Sequence, residues 1–228
     1  ACRHHGMPPL AKDGPRGAGW SLALDRIVDG VLDVVPAAAQ RSLRELREMP
    51  SAAREALADH LLAFDYPALD PVLVPFVGAA LQVHWFAMAT QLEASTLGAP
   101  PVPGLCPVCG SPPVAALLRI DVPAPGSRYL ACSLCSTDWL LSRGQCSQCG
   151  EREHVAYYHL DGGGETVKAE ACDDCRGYLK VMNREKDALA DPVADDLATL
   201  ALDLLMDESG YERSGPNLLF VPGGIAGA

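Results

Sequence analysis

Basic residues are scarce in this 228-residue chain, where 18 Lys and Arg stand against 29 Asp and Glu and the net charge is -11. Phosphate contacts dominate nucleic-acid affinity, so a balance of this sign argues against a nucleic-acid partner. Catalytic signatures are missing too. With no nucleophile elbow, phosphate loop or His-Glu-x-x-His, nothing nominates an enzyme. Nor is there an uninterrupted membrane span. The most apolar stretch, residues 71–97, carries Val74, Phe76, Val77, Leu81, Val83, Trp85, Phe86 and Met88, but Pro75, Gln82 and His84 interrupt it and no basic residue flanks it closely. It reads as the central helix of a bundle, with His84 a satisfied core histidine rather than a ligand. Residues 1–19 hold Gly, Pro and basic residues without an apolar core, which predicts neither a secretion signal nor an anchor and makes the cytoplasm the expected compartment. Because the chain opens on Ala1, Cys2 and Arg3 without a methionine, it is expected to be a piece of a longer protein, with Cys2 a bystander thiol.

Cysteine is what the chain does have. Eight of its nine cysteines form four Cys-x-x-Cys pairs: Cys106 and Cys109, Cys132 and Cys135, Cys146 and Cys149, Cys172 and Cys175. The first two pairs recur 40 residues later as the last two, with 22 residues between the pairs of each unit. This is a tandem duplication. A Cys-x-x-Cys turn points two sulfurs at one centre, and two turns close a tetrahedral S4 shell suited to zinc or a mononuclear iron. Cys106, Cys109, Cys132 and Cys135 are therefore assigned to one metal ion, and Cys146, Cys149, Cys172 and Cys175 to a second. A disulfide framework would need an oxidising compartment, and a chain that is 49% hydrophobic does not need covalent staples. A thioredoxin-like pair would not recur four times in register, and glycine after Cys109 and Cys149 suits a tight turn under a metal. Crossed pairing, with Cys106 and Cys109 joining Cys172 and Cys175, is the alternative, although the strict repeat favours self-contained units. Since the shells are full of sulfur, neither site has the open position of a catalytic zinc. Zinc ribbons often bind nucleic acid, but between Cys106 and Asp187 there are 9 Lys and Arg against 11 Asp and Glu, and each tetrathiolate adds negative charge. A nucleic-acid- or transcription-associated zinc-ribbon protein is accordingly the rival reading.

The expected fold class is α+β: an N-terminal helical bundle, two tandem zinc-ribbon or rubredoxin-like modules, and a C-terminal helix. Trp20, Leu24, Ile27, Val28, Val31 and Val35 lie at helical spacing over residues 20–35. Pro36 opens a second helix to Met49, Pro50 ends it, and Ser51 caps a third through Phe64. Residues 98–104, rich in Pro and Gly, mark the boundary. Strands are expected at 114–122, 127–131, 154–160 and 166–169, and metal binding should supply the folding free energy of each hairpin. His154 and His159 should point to opposite faces of their strand and share no metal. Residues 178–186 read as the start of a helix, followed by a clearer helix over 191–209. Val193, Leu197, Leu200, Leu204 and Leu205 would face inward, while Asp195, Asp196, Asp203 and Asp207 form a solvated acidic face. The apolar residues of the 215–220 tail are expected to dock back on the bundle. The domains are thus a flexible segment at 1–19, a helical domain at 20–98, ribbons at 105–144 and 145–186, and a C-terminal helix and tail at 187–228.

Particular runs of residues point to a family. Cys106-Pro107-Val108-Cys109-Gly110-Ser111-Pro112-Pro113, Arg128-Tyr129-Leu130-Ala131-Cys132-Ser133-Leu134-Cys135, and Glu170-Ala171-Cys172-Asp173-Asp174-Cys175-Arg176-Gly177-Tyr178-Leu179-Lys180 resemble the formate dehydrogenase accessory protein family FdhE. So do Glu185-Lys186-Asp187, Val193-Ala194-Asp195-Asp196-Leu197-Ala198 and Arg213-Ser214-Gly215-Pro216-Asn217, with looser support from Pro75, Phe76, Trp85 and Met88. The resemblance implies a cytoplasmic, non-enzymatic maturation factor that contacts the catalytic, molybdenum-containing subunit of a respiratory formate dehydrogenase before its export. It also implies iron in rubredoxin-like modules, with zinc as the alternative. Homodimer formation is left open.

Overall fold

The structure, a computed structural model, describes residues 6–98, 100, 102–162 and 164–221. Cys2 lies outside them. The described residues divide into two compact units, one of 10–92 with 218–221 and the other of 6–9 with 93–217.

The helical unit holds α1 (Gly19–Val31), α2 (Ala37–Glu48), α3 (Ser51–Ala63) and α4 (Val74–Ala89). Trp20, Leu24 and Val28 form the buried stripe of α1, and this helix packs on α4, whose Val77, Ala80, Leu81 and Trp85 are buried. The C-terminal carbonyls of α2 are orphaned by the end of the helix; Arg54 satisfies two of them, donating to the oxygens of Leu46 and Arg47, and its Nη1 reaches Asp25 at 2.9 Å. Three expectations change here. Pro50 rather than Ser51 occupies the N-cap of α3, and no side chain caps it, because the proline ring carries no acceptor for the first free amides. Helix α4 ends at Ala89, not Leu97, where Thr90 Oγ1 and Gln91 Nε2 both turn back to the Ala87 oxygen. No helix among the described residues is long and apolar enough to cross a membrane. Residues 10–19, read as a flexible lead-in, make specific contacts: Arg16 bonds Glu55 and Asp59, and the Leu10 oxygen accepts from Trp85 Nε1. From the tail, Leu218 is buried with its carbonyl so close to Gly78 that a Cβ there would lie 2.0 Å from the oxygen.

The second unit is built on a seven-stranded sheet. In chain order the strands are β1 (Pro113–Arg119), β2 (Ser127–Cys132), β3 (Asp138–Leu140), β4 (Val155–Tyr158), β5 (Val167–Cys172), β6 (Gly177–Asn183) and β7 (Glu212–Arg213). The spatial order is β3-β2-β1-β6-β5-β4, with β7 beside β6. Each repeat contributes three antiparallel strands, and β1 joins β6 in parallel through Ala116 opposite Val181 and Leu117 opposite Met182. The modules are therefore not self-contained, since each covers an edge that the other would leave unpaired. Residues 178–186 are not helical. Tyr178, Leu179, Val181 and Met182 are buried in β6, and a strand covered on both faces loses the alternation that would have revealed it.

The expected helix over 191–209 is two short ones, α5 (Ala194–Ala198) and α6 (Leu200–Glu208). Lys180 Nζ donates to the carbonyls of Asp196 (2.8 Å) and Thr199 (3.1 Å), drawing both out of a continuous ladder. Leu202 and Met206 are the buried residues of α6, packed with Ala169, Ala171, Tyr178 and Tyr211, whereas Leu204 and Leu205 are exposed.

Candidate metal centres

Each knuckle is built by the same turn. The Cys106 amide donates to Ser111 O (2.9 Å) and the Gly110 amide to Cys106 O (2.9 Å); 40 residues on, Cys146 and Gly150 repeat both bonds at 2.7 and 3.1 Å. Gly110 and Gly150 sit at φ +75° and +82°, a conformation glycine adopts without penalty. After the fourth cysteine of each set, Ser136 and Arg176 share φ +57°. The duplication thus extends to backbone conformation.

The sulfurs gather in the sequential sets. Cys106 and Cys135 Sγ are 3.6 Å apart, Cys109 and Cys132 3.4 Å, Cys146 and Cys175 3.6 Å, and Cys149 and Cys172 3.6 Å. Within each set all four lie within 4.8 Å of one another. A tetrahedron with metal–sulfur bonds of about 2.3 Å has edges of about 3.8 Å, whereas a disulfide would need about 2.05 Å. The donor chemistry and spacing therefore fit one tetrahedral ion per set. Backbone amides add support, as Leu134 and Cys135 donate to Cys132 Sγ (3.3 and 3.4 Å) and Gln148 to Cys146 Sγ (3.4 Å).

Without a cation the four thiols of a set cannot all ionise. Contact with Cys109 pushes Cys106 up and burial pushes Cys132 up, while contact with Cys106 is the main influence holding Cys109 and Cys135 down. Burial raises Cys175 to about 12. At Cys146 burial acts upward but is outweighed by the amides of Cys149 and Gln148, which lower it. The two sets differ in access: all four cysteines of the first are buried, whereas in the second Cys149 is exposed and Cys175 half-buried.

His154 and His159 flank β4 at either end rather than lying within it. His154 Nδ1 is 3.0 Å from Asp174 Oδ2, and that carboxylate raises its pKa. With Glu151 they form a third cluster of ligand atoms, but all three side chains already bond one another or nearby backbone at the surface. His84 is not satisfied in the way expected: its Nε2 is buried without a hydrogen-bond partner among the described residues.

The other runs that singled out this chain meet around Lys180. Its ammonium is buried and pairs with Asp203 at 2.6 Å and Asp196 at 3.2 Å; Arg213 reaches Asp196 at 2.5 Å and Asp203 at 3.3 Å. Tyr178 OH donates to Asp203 and Asn217 Nδ2 to Asp196. The acidic face is thus half internal. Asp196 is fully buried and Asp203 largely so, because two cations lie beneath them. A second buried pair, Arg128 and Glu170 at 2.6 Å, bridges the repeats.

Comparison with known proteins finds the same arrangement elsewhere. Family models described as FdhE N-terminal, FdhE central domain and FdhE C-terminal domain match residues 1–100, 105–143 and 145–220. A protein named FdhE homolog from Pseudomonas aeruginosa is 44% identical over 97% of this chain and 74% of its own length. The chain belongs to the FdhE family. Another FdhE homolog, from Stutzerimonas stutzeri, is 41% identical over 97% of this chain and 73% of its own. The crystal structure of the FdhE protein from Pseudomonas aeruginosa superposes with a TM-score of 0.90, at 44% identity, covering 98% of this chain and 79% of that one. Helices followed by a sheet region with two tetracysteine clusters are therefore the fold of this FdhE family member.

Proposed function

We propose that this protein is a cytoplasmic, non-enzymatic maturation factor for a respiratory formate dehydrogenase. It binds the catalytic subunit before export, and two metal ions hold its sheet unit in shape. One ion is bound by Cys106, Cys109, Cys132 and Cys135, the other by Cys146, Cys149, Cys172 and Cys175. The observation that carries this reading is the gathering of all eight knuckle cysteines into two S4 sets in a chain that matches FdhE along its length. Closed sulfur shells leave no position for a substrate, so the ions supply rigidity. The family resemblance favours iron over zinc, and iron would add one-electron chemistry that zinc lacks.

The charge balance of -11 favours a protein client over the rival nucleic-acid reading. Because Asp196 and Asp203 are committed to Lys180 and Arg213, the contact surface must be sought elsewhere than on that acidic face.

The test is genetic. In the host strain lacking this protein, the formate dehydrogenase polypeptide should accumulate without activity. Wild type should restore activity, and a chain with Cys172→Ser and Cys175→Ser should not. Full activity in the deletion strain would refute the proposal.

A further inference from the structure

Both repeats and the connection between them wall a cavity of about 240 Å³. It is lined by Leu118 of β1, Tyr157 of β4, Lys168 of β5, Val181 and Asn183 of β6, and Arg143 of the connection. Ala169 and Ala171 face the C-terminal helices, so Lys168 and Glu170, alternating with them on β5, point to the opposite side of the sheet. On that side Leu118 stands opposite Arg128, Val181 opposite Lys168, and Tyr157 opposite Glu170.

The wall has an excess of hydrogen-bond donors. Among the described residues no carboxylate forms an ion pair with Arg143 or Lys168, and the one hydrogen bond of the Arg143 guanidinium is a long one, 3.4 Å, to Gly126 O. Asn183 Oδ1 accepts from the Glu185 amide, which leaves Nδ2 to donate. Glu165, the one carboxylate on the lining, is engaged by Lys186 at 2.7 Å. Tyr157 OH donates to Glu170, whose charge Arg128 offsets. In the adjoining groove, walled in part by Arg143, Arg128 contributes a buried Nε with no partner among the described residues.

Two cations that line one cavity of an otherwise acidic chain, neither in direct ion pair among the described residues and each with a carboxylate only at longer range, favour a doubly charged ligand. A carboxylate offers two acceptor oxygens in one plane. A phosphate offers oxygens in several directions, which matches donors arriving from a loop and from two strands. We propose that this cavity binds the phosphate group of a small molecule, and that Arg143 and Lys168 are its charged contacts.

The test is calorimetric titration of the metal-loaded full chain at constant ionic strength with sodium phosphate, sodium pyrophosphate, AMP and succinate. A phosphate compound should bind with a dissociation constant below about 1 mM, and Arg143→Gln and Lys168→Met should each weaken it about tenfold. Strongest binding of inorganic phosphate or pyrophosphate would identify a free anion as the source; strongest binding of AMP would identify a nucleotide. Absence of heat from every phosphate compound at about 10 mM, succinate binding as tightly as phosphate, or unchanged affinity in both variants would each overturn the proposal.

Discussion

Lys180 shows how much a single side chain can organise. Its ammonium closes two ion pairs, takes two helix carbonyls and sets the break between α5 and α6. Removing one member of a buried charge network leaves its partners desolvated and under-compensated, so Lys180→Met should destabilise the metal-loaded protein by about 3 kcal/mol. The check is the urea midpoint, and a shift no larger than that of a surface variant such as Lys186→Met would refute it. His84 affords a pH-dependent counterpart. Burial, and then the charge of Arg16, lower its pKa below the ordinary value. A base depressed in the folded state binds its proton more readily when unfolded. Its stabilising share is therefore present above the unfolded pKa of about 6.5 and is lost as pH falls through the window below it. The difference in melting temperature between wild type and His84→Gln should stay constant above about pH 6.5 and shift against wild type as pH falls below it. Parallel curves would show that the ring does not titrate on unfolding.

The two S4 sets are chemically alike but differ in what covers them. The first is buried on all four sulfurs, while the second exposes Cys149 and half-exposes Cys175. A chelator should therefore remove one equivalent of metal quickly and the other slowly, and the fast phase should vanish in the Cys172→Ser, Cys175→Ser chain. Equal rates, or a fast phase that persists in that variant, would contradict this assignment. The same contrast explains what could be read beforehand. Cys-x-x-Cys spacing is a local constraint, so the eight cysteines and their 40-residue repeat were plain from sequence, and so was the stripe of Trp20, Leu24 and Val28. Strand β6 was not, because burial on both faces, Lys180 included, removes the period-two signal. The acidic face failed for a related reason. Asp196 and Asp203 look solvated until Lys180 and Arg213, which are remote or out of register in sequence, arrive beneath them. Arg143 and Lys168 come together only because β1 pairs with β6, a pairing between repeats that no single module announces.

At the scale of the whole chain, the sheet makes the two metal modules interdependent. Loss of one ion should loosen the partner repeat through the shared β1 and β6 edge and through the Arg128–Glu170 pair. The duplicated ribbons then form one continuous sheet, and the proposed binding of a formate dehydrogenase catalytic subunit requires that this sheet be folded around its two ions. The most direct measurement is anaerobic capture of the tagged protein from its own host grown on formate, with the co-purifying proteins identified by mass spectrometry. The catalytic subunit should co-purify with the wild-type chain and be largely lost with Cys172→Ser and Cys175→Ser. Recovery of polymerase or ribosomal proteins, with no formate dehydrogenase, would contradict the proposed binding.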